Sequence, residues 1–227
     1  MSVCGCTSAP RSPAELAEVD VDRFRFGLYR DCLEAGAARF EPPSVTGAVC
    51  DCVYEQLDRQ MDEREWRQAI FLLLSEREEE GRRVLEPFLR GAAACRGLAA
   101  VETPESGTIA PAADRLVGSW AWTRPIEHCR ETYDFRSGGT VRIERGDERT
   151  ENTYVVAPVP EASGRFQVTV TTTSYAAGVN CKGVIQDATG RKSTLYVLFG
   201  PRNEMLAVCK SAEDPDCDGP LRKIPGN

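Results

Sequence analysis

Gly118–Thr140 reads GSWAWTRPIEHCRETYDFRSGGT, and this stretch decides the fold. Side chains two apart on extended backbone point the same way, so Trp120 and Trp122 share one face of a strand. Glu131, Tyr133 and Phe135 form one face of a second strand, and Ser137-Gly138-Gly139 turns it back into Val141 and Ile143. The alternation continues downstream. Tyr154 to Val159 extends it, and then Phe166, Val168 and Val170 alternate with Gln167, Thr169 and Thr171. Leu195, Val197 and Phe199 lead through Gly200-Pro201-Arg202-Asn203 into Leu206 and Val208, and Leu221 to Ile224 supplies a short last strand. About eight antiparallel strands with short turns in roughly 110 residues suit a closed barrel or a sandwich.

Upstream the period changes from two to that of a helix. Phe24, Leu28 and Cys32 make one stripe; Val49, Cys52, Val53 and Leu57 make another. Pro42-Pro43 ends the first segment, and Ser44 is placed to cap the second. Asp62 with Glu65 marks the start of a third helix through Trp66, Ile70, Leu73 and Leu74. Gly81 is expected to break it before a fourth helix with Leu85, Phe88 and Leu89, which runs to about Cys95. Ser12-Pro13-Ala14-Glu15 has the form of a capping box. Ala99 to Ala113 (AAVETPESGTIAPAA) is small, polar and Pro-containing. The expected organisation is therefore a tether over 1–19, a helical domain over 20–98, a linker over 99–114 and a β domain over 115–227. The fold class is α+β, with a disulfide-stapled helical bundle preceding a small antiparallel eight-stranded barrel.

The chain has 227 residues, ten of them cysteines, and a formal net charge of −7. Such a charge argues against nucleic acid as a partner, because phosphate binding needs a concentrated basic patch. Eight cysteines fall in two even sets: Cys32, Cys50, Cys52 and Cys95, then Cys129, Cys181, Cys209 and Cys217. Two even sets, one per region, read as disulfides and an oxidising compartment. Cys50 and Cys52 lie about 200° apart around a helix, so they should bond to different partners, Cys32 and Cys95 in an open assignment. In the β region Cys209–Cys217 and Cys129–Cys181 are the expected pairs, other connectivities being open. No apolar run is long enough to cross a bilayer as a helix.

Two resemblances add to this reading. Val3-Cys4-Gly5-Cys6, followed by Thr7-Ser8-Ala9-Pro10, resembles the end of a bacterial lipoprotein signal. It implies lipidation at Cys6, with Cys4 the other candidate, and a periplasmic, lipid-anchored protein. Thr7 is not the aspartate associated with inner-membrane retention, so the outer membrane is favoured. Gly118-x-Trp120 at the start of the first strand, with the strands that follow, resembles the lipocalin-like barrels. That resemblance implies that Trp120 packs at the closed end against an Arg from near the last strand, here Arg222, through a guanidinium over an indole face.

The sequence offers little catalytic chemistry. His128 and Cys129 are adjacent, so on a strand they point to opposite faces. Glu131 and Asp134 also face opposite ways, which does not suit a glycosidase pair. Asp214-Pro215-Asp216-Cys217-Asp218-Gly219 begins like a calcium loop, but its twelfth position is Pro225 where a bidentate Glu is needed. The expectation is a non-enzyme without metal or cofactor that works by binding. One class is a protein-binding module of the envelope, such as an immunity protein or inhibitor of an antibacterial toxin. The other is a carrier of a small hydrophobic ligand lined by Trp120, Trp122, Tyr133, Phe135 and Phe166.

Overall fold

The computed structural model describes residues 10–39, 43–99, 111–124, 129–161, 163–214 and 217–225. Four helices come first: α1 (Glu18–Ala38), α2 (Pro43–Gln60), α3 (Glu63–Leu74) and α4 (Glu78–Ala99). A short helix α5 (Ala112–Leu116) then leads into eight strands. These are β1 (Gly118–Thr123), β2 (Arg130–Arg136), β3 (Thr140–Arg145), β4 (Glu148–Val156), β5 (Phe166–Ala176), β6 (Lys192–Phe199), β7 (Met205–Cys209) and β8 (Asp218–Ile224). Each strand pairs antiparallel with its neighbours in chain order, and β8 closes on β1, leaving no free edge. The helical region followed by a closed barrel is the architecture expected from the two periods in the sequence.

Register follows from alternation. Trp120 lies opposite Tyr133, and Tyr133 opposite Ile143, so these three project into the barrel together. Fifteen buried side chains form one cluster there, including Val141, Tyr154, Val168, Val197, Leu206 and Leu221. Phe135 meets Tyr154 edge-on at 5.1 Å, and Phe166 meets Phe199 at 5.7 Å. The interior is thus filled by the protein's own side chains, as small eight-stranded barrels permit. β4 and β8 extend further than the periodicity suggested, starting at Glu148 and Asp218. Their opening residues are polar and escape an apolar count.

Several helix boundaries differ from expectation. Asp62 and Glu65 form the capping box predicted for α3. Ser12 does not cap: only a 3-10 turn, Pro13–Glu15, follows it, and Glu15 instead accepts the Arg11 backbone N–H at 2.7 Å. α2 begins at Pro43, ahead of the predicted cap at Ser44. Gly81 lies inside α4; the break comes earlier, where Glu76 adopts φ 58°. A Cβ at Gly81 would stand 2.6 Å from Leu73 Cγ, so glycine here admits close approach of α3 and α4. The last residues of the stretch read as a linker form α5, whose Ala112 and Leu116 join the barrel core.

The cysteines pair as Cys32–Cys50, Cys52–Cys95, Cys129–Cys181 and Cys209–Cys217. Cys50 and Cys52 bond to different partners, as their rotation around α2 required.

Helices and barrel share a buried seam. Phe26 and Tyr29 of α1 and Cys50 and Tyr54 of α2 pack with Leu198, Met205 and Ala207 on the outer face of β6 and β7. α1 therefore carries two apolar stripes. Val21, Phe24 and Leu28 face the other helices, and Phe26 and Tyr29 face the barrel. Tyr29 donates to Asp51 at 2.9 Å within the seam, and burial raises the pKa of both groups.

Candidate functional site

The barrel's two ends differ in chemistry. One is sealed by α5. Trp120, fully buried, donates its indole N–H to the Leu116 carbonyl at 2.7 Å, which ties the first strand to the plug. The cation over this indole is Lys223, 5.1 Å from the ring centroid, and not Arg222 as the lipocalin resemblance implied. Parity along β8 explains the correction. Lys223 lies opposite Trp120 and leaves the strand on the same side, its ammonium staying exposed, whereas Arg222 lies opposite Ala121 and turns to the outer face. There Arg222 forms a forked ion pair with the buried Asp22 of α1, fastening helix to barrel.

The other end is polar. Glu131, Arg145 and Glu148 stand in one register row across β2, β3 and β4, all directed inward. Glu131 is only 2% exposed and would be costly to bury alone. Arg124 binds one of its oxygens, Tyr133 donates to the other at 2.9 Å, and Arg145 lies 3.5 Å away. Burial pushes the Tyr133 phenol up to about 12, so it stays a donor. Both oxygens of this carboxylate are engaged, and its evident work is to neutralise Arg124 and Arg145. Trp122 sits over this layer, with Arg124 5.0 Å from its ring, and its buried indole N–H has no acceptor among the described residues.

Of the five aromatics predicted to line a ligand pocket, Trp120, Trp122, Tyr133 and Phe135 belong to the buried barrel core, and Phe166 packs against it. Two clefts lie outside the barrel, beside α1. One of about 450 Å³ is bounded by Asp22, Trp122, Arg130, Pro220 and Arg222. The second, about 350 Å³, is bounded by Arg23, Phe26, Arg30, Ala207 and Pro220. Of the five predicted lining residues Trp122 alone borders them, and it borders both; the remainder of each cleft arises only where the helix crosses the barrel.

At the polar end the loop between β5 and β6 carries three exposed aliphatic side chains, Val179, Val184 and Ile185. It is held firmly. Cys181 is bonded to Cys129, the Asn180 carboxamide oxygen accepts the Lys182 and Val184 N–H groups at 2.9 and 3.1 Å, and Asp147 N–H bonds Val179 O at 3.0 Å. The Cys129–Cys181 pair was expected from the sequence; the exposure of the flanking aliphatics was not.

His128, Pro215, Asp216 and the predicted lipidation sites Cys6 and Cys4 lie outside the described residues. In the acidic loop Asp214 accepts the Lys210 N–H at 3.1 Å, and Asp218 lies 3.5 Å from Arg124. These two carboxylates thus point to protein partners, and no metal-holding cluster occurs among the described residues. Comparison with family models, with curated proteins and with solved structures returned no match.

Proposed function

We propose that this chain is a non-enzymatic, protein-binding module of a bacterial envelope, of the immunity or inhibitor class, that docks through the stapled loop at the barrel's polar end. The observation that carries the reading is Ile185, 63% exposed, with Val179 and Val184 beside it on a loop anchored by Cys129–Cys181. Exposed aliphatics on a pre-ordered loop favour association, because little conformational entropy remains to be lost on binding. The packed barrel interior supports binding on the outside. Four disulfides support an oxidising compartment, and the lipoprotein-like start supports an anchor at Cys6.

The test is affinity capture from the native host with the wild-type chain and with Val184→Asp/Ile185→Asp in parallel, read by mass spectrometry with lipid extraction alongside. A stoichiometric protein held by the wild type and lost from the double variant is the expected result. A small apolar molecule that co-purifies with both would support the carrier reading instead.

A further inference from the structure

The helical glycines are of two kinds. Gly36 and Gly81 are required by packing: a Cβ there would stand 2.2 Å from Thr46 Cγ2 and 2.6 Å from Leu73 Cγ. Gly27, midway along α1, is not, since a Cβ there would meet nothing within 4 Å. Glycine weakens a helix interior, so one without a packing reason points to a use for the space beside it. Gly27 borders the cleft of about 350 Å³ between α1 and β8; Gly47 of α2, open in the same way, borders neither cleft. Arg23, Gly27 and Arg30 fall at i, i+4 and i+7 and so run along one face of α1. The remaining walls of this cleft are largely apolar, with Phe26, Trp122, Ala207 and Pro220. Asp218 there lies 3.5 Å from Arg124, and Arg30 lies 3.1 Å from Asp31. The exposed Arg23 guanidinium has neither ion pair nor hydrogen bond among the described residues.

We infer that this cleft binds a small anionic amphiphile, its apolar body in the gap left by Gly27 and its carboxylate on the Arg23 guanidinium. The sign of the ligand rests on charge. The chain carries −7 and as a whole repels anions, so an unneutralised guanidinium at the rim of an apolar cleft selects an anion against that background. A cationic amphiphile would meet Arg23 and Arg30 with like charge. The class of ligand rests on shape: about 350 Å³ is far too little for a protein face, and a short hydrocarbon chain lies readily along one turn of a helix that lacks a side chain. None of Val179, Val184 and Ile185 borders this cleft, so the site is additional to the stapled loop.

Calorimetric titration of the full chain with octanoate, and with octanol as the uncharged control, tests this. The expected result is one saturable site for octanoate that weakens with salt, and binding of octanol roughly tenfold weaker. Arg23→Glu should weaken octanoate about tenfold or more, with the melting temperature unchanged because Arg23 is exposed. Gly27→Ala should raise the melting temperature by roughly 2–4 °C, since alanine favours the helix and its Cβ meets no atom. Gly27→Leu, which fills the gap, should abolish binding of both probes. Val184→Asp/Ile185→Asp should bind octanoate as the wild type does, which keeps failure of this site distinct from failure of the docking loop. The inference is overturned if octanoate shows no saturable binding, if octanol binds equally well, or if Arg23→Glu changes nothing. A Gly27→Ala variant that melts lower overturns it too, because the glycine then serves the fold. So does a site that takes a penta-aspartate peptide but not octanoate, which gives Arg23 to an acidic protein.

Discussion

The two ends of the barrel solve the same problem with opposite chemistry. The sealed end stops the lumen with an apolar plug, Leu116 and Ala112, and satisfies the buried Trp120 donor on the plug's own backbone. The polar end fills the lumen with Glu131, Tyr133, Arg124 and Arg145, whose burial is tolerable only while all are present. The comparison teaches that position along a strand does not decide worth: Trp120 and Trp122, two residues apart on one face, have different partners. The apolar end should govern stability and the polar end should tolerate less change of charge than of shape.

The largest effect expected is Trp120→Ala, at about 3–5 kcal/mol of unfolding free energy, since it empties the sealed end. Denaturant titration measures it. Trp120→Phe against Trp122→Phe sharpens the contrast. The first strands the Leu116 carbonyl and should destabilise, whereas the second removes an N–H without an acceptor and should be near neutral. Equal losses would break the comparison.

Replacing Cys129 and Cys181 by Ala should cost about 2–4 kcal/mol, because that bond closes a long loop. The equivalent change at Cys209 and Cys217 should cost about 1–2 kcal/mol less, the sequence separations being 52 and 8. Paired urea titrations decide it.

Glu131→Gln keeps shape and removes charge. It should cost about 1–3 kcal/mol, read by the same titration, by leaving Arg124 and Arg145 uncompensated. The polar end also predicts an alkaline limit. The folded Tyr133 phenol titrates above its ordinary value, so the native state holds the proton more tightly than the unfolded chain. Its contribution is complete below about pH 10 and is lost as pH rises toward about 12. Tyr133→Phe should flatten that part of the stability–pH curve, leaving the part due to Tyr29, which burial raises also.

The smallest effect is expected from Lys223→Met, about 0.5–1 kcal/mol, because the cation over Trp120 is exposed. A thermal melt resolves it, and a loss as large as that of Trp120→Phe would move the seal from the plug to the lysine.

Much of this was legible from local chemistry. Alternation through Trp120, Tyr133, Phe135 and Val168 named the inward face, and the Ser137-Gly138-Gly139 turn set the first hairpin. The capping box at Asp62 began a helix where its hydrogen bonds required one. The seam was not legible, because Phe26 and Tyr29 lie off the main stripe of α1 and read as ordinary variation until Leu198 and Met205 are placed against them. Gly81 misled for a related reason: its role is contact with Leu73, not backbone freedom.

Period, parity and the even division of the cysteines follow from local order, since each depends on neighbours a few residues away or on simple rotation around a helix. Tertiary structure alone decided which cation covers Trp120, what answers Asp22 and where the clefts lie. Those depend on which distant side chains share a face after the barrel closes, and that closure joins Ser119 to Ile224 across nearly the whole β region. No local pattern carries such information; only the packed chain does.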